Sequence, residues 1–152
     1  MQKIIIASDH AGFLLKKILI EKLRDVFEFE DLGTKGTDSV DYPDYAHKLS
    51  EKVSANISAQ GVLICGSGIG MSMVANRYKN IRAALCTNEK MAKLSKQHNN
   101  ANVLVLGSRL ISEEEAINSS FSVSKIASKA GFKVEKAVIE AQGLCHSCAS
   151  VA

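Results

Sequence analysis

Short apolar runs alternate with amphipathic stretches along this chain, and that alternation constrains the fold more than any other feature of the sequence. Five runs have the character of strands, and helical patterns lie between them. Strands joined by helical crossovers form a parallel sheet with helices on its faces. We therefore predict a single-domain α/β fold with a doubly wound, five-stranded parallel sheet, similar to a Rossmann fold. The predicted strands are residues 3–7, 27–32, 61–65, 81–86 and 102–106.

The predicted helices occupy the segments between the strands and the region after the last one. Ser112 and the three glutamates that follow it are typical of a helix N-terminus, and this helix is predicted to reach about residue 129. Ala130-Gly131 then interrupts the pattern, and a further helix over 132–142 is expected to pack on a partner subunit. The other predicted helices are residues 13–23, 45–59, 71–78 and 89–97.

Composition excludes several classes of protein. The chain has 152 residues, of which 46% are hydrophobic and 23% charged, as in one ordinary globular domain. No apolar run approaches the roughly 20 residues of a membrane span. Residues 1–7 are too short for a signal-peptide core, so we expect a cytoplasmic protein. The net charge of +3 is dispersed and only 5% of residues are aromatic, which argues against nucleic-acid binding.

Cysteine usage agrees with a reducing compartment. Cys65 and Cys86 both end apolar runs, as expected of reduced thiols inside an α/β protein. Cys145-His146-Ser147-Cys148 has the spacing of redox and zinc motifs, but the second ligand pair of a zinc site is missing. We expect that motif to be incidental, because it lies in the last eight residues.

Cys65 is followed directly by the glycine-rich loop Gly66-Ser67-Gly68-Ile69-Gly70, which leads into a helix. Glycines allow a sharp turn and present backbone N–H groups that stabilise an anion at the helix N-terminus. A thiol in such surroundings acts as a base or a nucleophile. Met71 stands where the dinucleotide-binding fingerprint needs glycine, and no lysine for a P-loop occurs before Lys79. The alternative is a tight turn with a buried, inert thiol.

Other polar residues are predicted to gather at the same sheet edge, because the ligand crevice of a parallel sheet lies at the carboxyl ends of its strands. Each also has a structural interpretation: a helix cap, an exposed charge or a structural histidine. Together they provide an acid, a base, an anion cradle and a cation, which proton transfer on a sugar phosphate requires. These residues are Asp9, His10, Tyr42, His98, Asn99 and Arg109.

These motifs resemble those of the type B ribose-5-phosphate isomerase family, which is close to the galactose-6-phosphate isomerase subunits. They run in the family's order and spacing from residue 1 to about residue 110. The matching segments are Ser8-Asp9-His10-Ala11-Gly12-Phe13, Asp41-Tyr42-Pro43, Leu63 to Ser72 with Ala75-Asn76, Gln97-His98-Asn99, and Asn102-Val103-Leu104 with Gly107-Ser108-Arg109.

The resemblance implies interconversion of D-ribose 5-phosphate and D-ribulose 5-phosphate through a cis-enediol(ate), a step of the pentose phosphate pathway, without metal or cofactor. Cys65 would move the proton between C2 and C1, and the N–H groups of Gly66, Ser67, Gly68, Ile69 and Gly70 would stabilise the enediolate oxygen, assisted by the Ser67 hydroxyl.

The remaining roles follow from the same resemblance. His98 and Asp9 would open the furanose ring, and Asp9 would also bind the sugar. Asn99 and Tyr42 would contact sugar hydroxyls, while His10 and Arg109 would hold the phosphate.

The sequence departs from the family pattern near its C-terminus. The family has Gly-Gly-Arg-His followed by another arginine, which supply phosphate ligands from the partner subunit. Here the stretch is Ala130-Gly131-Phe132-Lys133-Val134-Glu135-Lys136. Lysine binds phosphate as a point charge without the planar fork of arginine. We expect Lys136, with Lys133, to bind the phosphate of the other subunit.

The resemblance also implies a sugar-phosphate isomerase domain over residues 1–142, a flexible tail over 143–152, and a homodimer or a dimer of dimers. One alternative is an isomerase of galactose or allose 6-phosphate. Another is a non-catalytic sugar-phosphate sensor, which would need the glycine loop and Arg109 but not both Cys65 and His98.

Overall fold

Five parallel strands form one sheet in the order β2-β1-β3-β5-β4, which confirms the predicted fold class. The structure, a computed structural model, describes residues 1–56 and 58–123. Each strand lies within about two residues of its predicted position. The strands are β1 (Gln2–Ser8), β2 (Phe27–Asp31), β3 (Gln60–Cys65), β4 (Ala83–Leu85) and β5 (Val103–Gly107).

Alternate residues of the central strands enter two separate hydrophobic cores, because successive side chains of a strand point to opposite faces. Ile4 and Ile6 of β1 lie in one core, and Ile5 and Ala7 lie in the other. β3 and β5 follow the same alternation, so all three strands are apolar on both faces. Such continuous apolar runs are typical of a parallel sheet covered by helices on both sides.

Helices cover both faces of this sheet. The first core contains residues of α1 (Phe13–Leu23), α4 (Glu89–Asn99) and α5 (Glu113–Val123). The second contains residues of α2 (Tyr42–Ala55) and α3 (Ile69–Ala75). In the described part of the chain, no helix has the length and apolarity to cross a membrane.

α2 and α3 both begin and end earlier than predicted, since they end at Ala55 and Ala75, and their early starts have physical reasons. α2 begins at Tyr42 instead of residue 45, because Pro43 is tolerated in the first turn, where its missing N–H has no helical acceptor. α3 begins at Ile69 directly after Gly68, whose left-handed conformation (φ +76°) ends the loop. The Ser112 cap is confirmed, since its Oγ accepts from Glu115 N at 3.2 Å. The predicted helix over 132–142 lies outside the described residues.

The chain order reverses between β1 and β3. β1 is followed by β2 on one side, and the chain then crosses to place β3 on the other side of β1. In open α/β sheets a ligand crevice forms at the carboxyl ends of the two strands that flank such a reversal. Asp9 directly follows β1 and Cys65 ends β3, so the topology places them side by side. Asp9 N donates to the carbonyl of Ile64 at 3.1 Å.

Candidate active site

An open cavity of about 340 Å³ lies at the carboxyl edge of the sheet, where β1 and β3 end. Residues predicted from four separate stretches of sequence border it, so the structure brings together most of the predicted site. The lining residues are Asp9, His10, Ala11, Tyr42, Cys65, Gly66, Ser67, Gly70, Arg109 and Leu110.

The Cys65 thiol is the only nucleophilic sulfur that borders this cavity among the described residues. It is the last residue of β3 and is 5% exposed. Its Sγ accepts a hydrogen bond from the backbone N–H of Gly68 at 3.0 Å. Proton abstraction from carbon requires a thiolate, and the Gly68 N–H is a hydrogen-bond donor aimed at this sulfur. The predicted juxtaposition of thiol and loop is therefore present.

Gly68 must be glycine for two reasons. Its φ of +76° is a conformation that side chains disfavour, and a Cβ there would lie 2.4 Å from Cδ1 of Leu85. This conformation turns the loop so that the Gly68 N–H points back at Cys65. Within the same loop, Ser67 Oγ accepts from Ile69 N at 3.3 Å.

Asp9 and His10 follow β1 and are both held by backbone groups. Asp9 is buried and borders the cavity, and its Oδ1 accepts from the N–H of Gly12 at 2.9 Å. Gly12 is itself the N-cap residue of α1, so Asp9 holds the turn that precedes the helix and does not cap the helix itself. His10 Nδ1 lies 3.2 Å from both the N and the O of Val40. A protonated Nδ1 donates to Val40 O, whereas an Nδ1 that accepts from Val40 N leaves the proton of the neutral ring on Nε2. A phosphate oxygen accepts such a proton.

Tyr42 and Arg109 each lie against a glycine of the loop. A Cβ on Gly70 would lie 2.6 Å from two ring carbons of Tyr42, which shows that the ring lies directly against that glycine. A Cβ on Gly66 would lie 3.3 Å from Cζ of Arg109. The Arg109 N–H also donates to the carbonyl of Gly66 at 3.0 Å. Glycine at positions 66 and 70 thus gives two side chains room to border the cavity.

His98 and Asn99 do not lie at this edge, so the prediction that they share it with Asp9 in one chain is wrong. They are exposed at the end of α4, which runs back from the carboxyl edge to the amino edge of the sheet. The next residue, Asn100, accepts at its carbonyl from Arg82 Nε, just before β4. β5 has five residues and separates the two edges by roughly 13 Å at about 3.3 Å per residue.

Sequence reasoning missed three contributors to the site. Ala11 and Leu110 line the cavity and adjoin predicted residues, so only their position beside His10 and Arg109 could have indicated them. Val40 orients His10 through its backbone, which no side-chain pattern can reveal. Lys133 and Lys136 lie outside the described residues.

Comparison with known proteins agrees with this geometry. The family model described as Ribose/Galactose Isomerase matches residues 4–140. Ribose-5-phosphate isomerase B of Escherichia coli is 42% identical over 118 residues, which cover 76% of this chain and 78% of that protein. The chain therefore belongs to the ribose/galactose isomerase family.

Solved structures show the same similarity. A ribose 5-phosphate isomerase from Thermotoga maritima has a TM-score of 0.77 and 50% identity, covering 80% of this chain and 85% of that one. Ribose-5-phosphate isomerase B from Mycoplasma genitalium, solved with bound ribulose-5-phosphate, has a TM-score of 0.76 and 44% identity, covering 80% and 82%.

Proposed function

We propose that this chain interconverts D-ribose 5-phosphate and D-ribulose 5-phosphate. One observation carries the proposal. The same cavity contains the Cys65 thiol, hydrogen-bonded to the N–H of Gly68, and two side chains able to bind a phosphate, His10 and Arg109. The ribulose-5-phosphate bound to the Mycoplasma genitalium relative supports this choice of substrate.

The Cys65 thiolate takes the proton from C2 of the open-chain aldose, and the electrons of that C–H bond form the enediolate. Of the loop residues from Gly66 to Gly70, three line the cavity: Gly66, Ser67 and Gly70. The N–H group of Gly70 lies in the first turn of α3, where helical N–H groups have no intrahelical acceptor. This N–H group and the Ser67 hydroxyl stabilise the negative oxygen. The thiol then returns the proton to C1, and a proton passes from O2 to O1. The ketose therefore forms without net gain or loss of electrons.

Opening the furanose ring requires an acid at the ring oxygen and a base at the anomeric hydroxyl. Asp9 borders the cavity, whereas His98 and Asn99 lie at the opposite sheet edge of the same chain. We therefore assign His98 and Asn99 to the cavity of a second copy, in a homodimer or a dimer of dimers. Tyr42 and Asn99 contact the sugar hydroxyls. The free thiols of Cys65 and Cys86 support a reducing, cytoplasmic location.

Substrate assays test the activity directly. Purified protein is incubated with ribose 5-phosphate, galactose 6-phosphate or allose 6-phosphate, and the ketose formed is measured. We expect turnover of the pentose phosphate. Turnover of a hexose phosphate alone would move the assignment to a hexose-6-phosphate isomerase, and binding without turnover of any sugar would indicate a sensor.

Cys65→Ala tests the base. Because removal of a general base costs about 10²- to 10⁴-fold in rate, we expect kcat to fall by that factor while substrate affinity stays within a few-fold. Exchange of the transferred proton with heavy water, partial in the wild type, should stop. Cys86→Ala is the matched control, because that buried thiol lies in the core on the other face of the sheet. Retained turnover in Cys65→Ala would refute the assignment.

Mixed oligomers test the shared site. Cys65→Ala and His98→Asn chains are each expected to be impaired with cyclic substrate. If a two-fold dimer pairs Cys65 of one chain with His98 of the other, random reassembly of a 1:1 mixture restores about a quarter of the sites. No recovery in verified mixed dimers would place both residues in one chain's site.

A further inference from the structure

Lys16 is a completely buried lysine that the proposed chemistry does not use. Lys16 lies on α1 and is 0% exposed, and its side chain is among the largest fully buried ones of the described residues. A buried ammonium is unfavourable unless it is paired and hydrogen-bonded. Its Nζ donates to Asp31 Oδ1 at 2.5 Å and to the carbonyl of Thr34 at 2.7 Å. Both partners lie outside α1.

Asp31 is the last residue of β2, and Thr34 lies near the start of the loop that joins β2 to α2, residues 32–41. Asp31 Oδ1 also accepts from Gly33 N at 2.9 Å. The same segment is bonded to the end of β1, since Ser8 N donates to Gly33 O at 2.7 Å and Thr34 N donates to Ser8 O at 2.8 Å. Lys16 therefore holds the base of this loop against the strand whose next residues are Asp9 and His10.

The far end of the loop supplies two features of the cavity. Val40 orients the imidazole of His10 through its backbone N and O. Tyr42 follows directly and lies against Gly70. A single segment of eight residues, from Thr34 to Asp41, thus connects the buried lysine to the contact with His10 and to Tyr42.

We propose that Lys16 is a positioning residue, which acts through the 32–41 loop to hold His10 and Tyr42 in the cavity. It does not line the cavity, so it is not placed to contact the substrate. The proposal rests on the proposed function for the identity of the substrate, but the positions of His10 and Tyr42 are measurable without turnover.

The test compares Lys16→Met with Lys17→Met. Lys17 is exposed on the same helix, and its Nζ lies 5.8 Å from the Phe13 ring, as does that of Lys16, so it is a matched control. Lys16→Met is expected to raise KM and the inhibition constant of inorganic phosphate by 10-fold or more, with kcat within three-fold of wild type. The Lys17→Met variant is expected to match the wild type.

The imidazole resonances of His10, assigned by comparison with His10→Asn, give a readout that a purely structural role would not move. We expect them to shift in Lys16→Met at a temperature where the protein is fully folded. This measurement needs no substrate, so it tests the positioning role even if the wild type does not isomerise ribose 5-phosphate.

A folded Lys16→Met with unchanged His10 resonances and an unchanged phosphate inhibition constant would overturn the proposal, as would a fall in kcat alone. If that single variant does not fold, Lys16→Met/Asp31→Asn takes its place. It removes both charges, and its amide oxygen still accepts from Gly33 N, so no unpaired charge remains. The same shifts and fold-changes are expected of it, and their absence overturns the proposal.

Discussion

We predict that Gly70→Ala weakens substrate binding without lowering the stability of the fold. The residue lies in the first turn of α3, and a Cβ there would meet two ring carbons of Tyr42 at 2.6 Å and the Tyr42 oxygen at 2.9 Å. Ordinary carbon–carbon contacts are about 3.5–4.0 Å, so the ring must move by roughly 1 Å. Tyr42 is 40% exposed, which leaves it free to move toward solvent.

The two effects have opposite signs. Alanine is favoured over glycine in a helix by at most about 1 kcal/mol, and displacement of a half-exposed ring costs little, so the free energy of unfolding should stay level or rise by up to that amount. If the Tyr42 hydroxyl donates one hydrogen bond to the sugar, its loss costs about 0.5–1.5 kcal/mol. That range corresponds to a rise of about 2- to 13-fold in KM.

Denaturant unfolding gives the stability change, and steady-state kinetics with ribose 5-phosphate give KM and kcat. The control repeats Gly70→Ala in the Tyr42→Phe background, where the ring remains but the hydroxyl is absent. There the added effect on KM should be small, since coupled residues do not act additively. An unchanged KM for Gly70→Ala, or an equal rise in both backgrounds, would refute the role assigned to Tyr42.

Three further substitutions address other parts of the fold. Gly68→Ala should lower the free energy of unfolding by about 2 kcal/mol or more and reduce turnover, because it combines a φ of +76° with a Cβ 2.4 Å from Leu85. The control in denaturant titrations is Gly36→Ala, because a Cβ at Gly36 would meet open space. Burial raises the pKa of the Cys86 thiol, so its contribution to stability is full below the ordinary thiol pKa and declines as the pH rises above it. Unfolding measured from pH 7 to 10 should therefore show a shallower decline in Cys86→Ala, and parallel profiles would contradict this. Lys52 and Lys3 hold the pKa of Glu30 below its usual value, so Glu30→Gln should reduce the loss of stability on acidification, an effect that high salt should remove.

Most of the fold could be predicted from the hydrophobic periodicity of the sequence. In β1, β3 and β5 the apolar residues continue without interruption, and both faces are buried, so the strands and the sheet edge at which they end could be placed from sequence. Of the cavity residues, Cys65 ends such a strand, and Asp9 and Arg109 follow one directly or within two residues. Their convergence is therefore a consequence of strand direction, which the alternation of elements already indicates.

Helix direction explains the error at His98. A crossover helix runs opposite to the strands it connects, so residues at its end lie at the amino edge even though they precede the next strand by only a few positions. Lys16 was missed for a different reason. It follows Leu15 on the buried face of α1, but lysines on helices are mostly exposed, and its partners Asp31 and Thr34 come from another element. Local patterns do not specify such tertiary pairs.

The placement of His98 has a consequence for how the two halves of the reaction are divided. Proton transfer between C2 and C1 needs a base and donors to the enediolate oxygen, and in the proposed mechanism one chain supplies them at its carboxyl edge through Cys65 and the α3 turn. Ring opening needs an acid–base pair, and of the proposed pair only Asp9 is at that edge. If the second copy supplies His98, separated chains should retain the chemistry on open-chain sugar while losing the acceleration of ring opening. Assembly would then control entry of the cyclic substrate into the reaction, and the thiol would act only on the form that assembly provides.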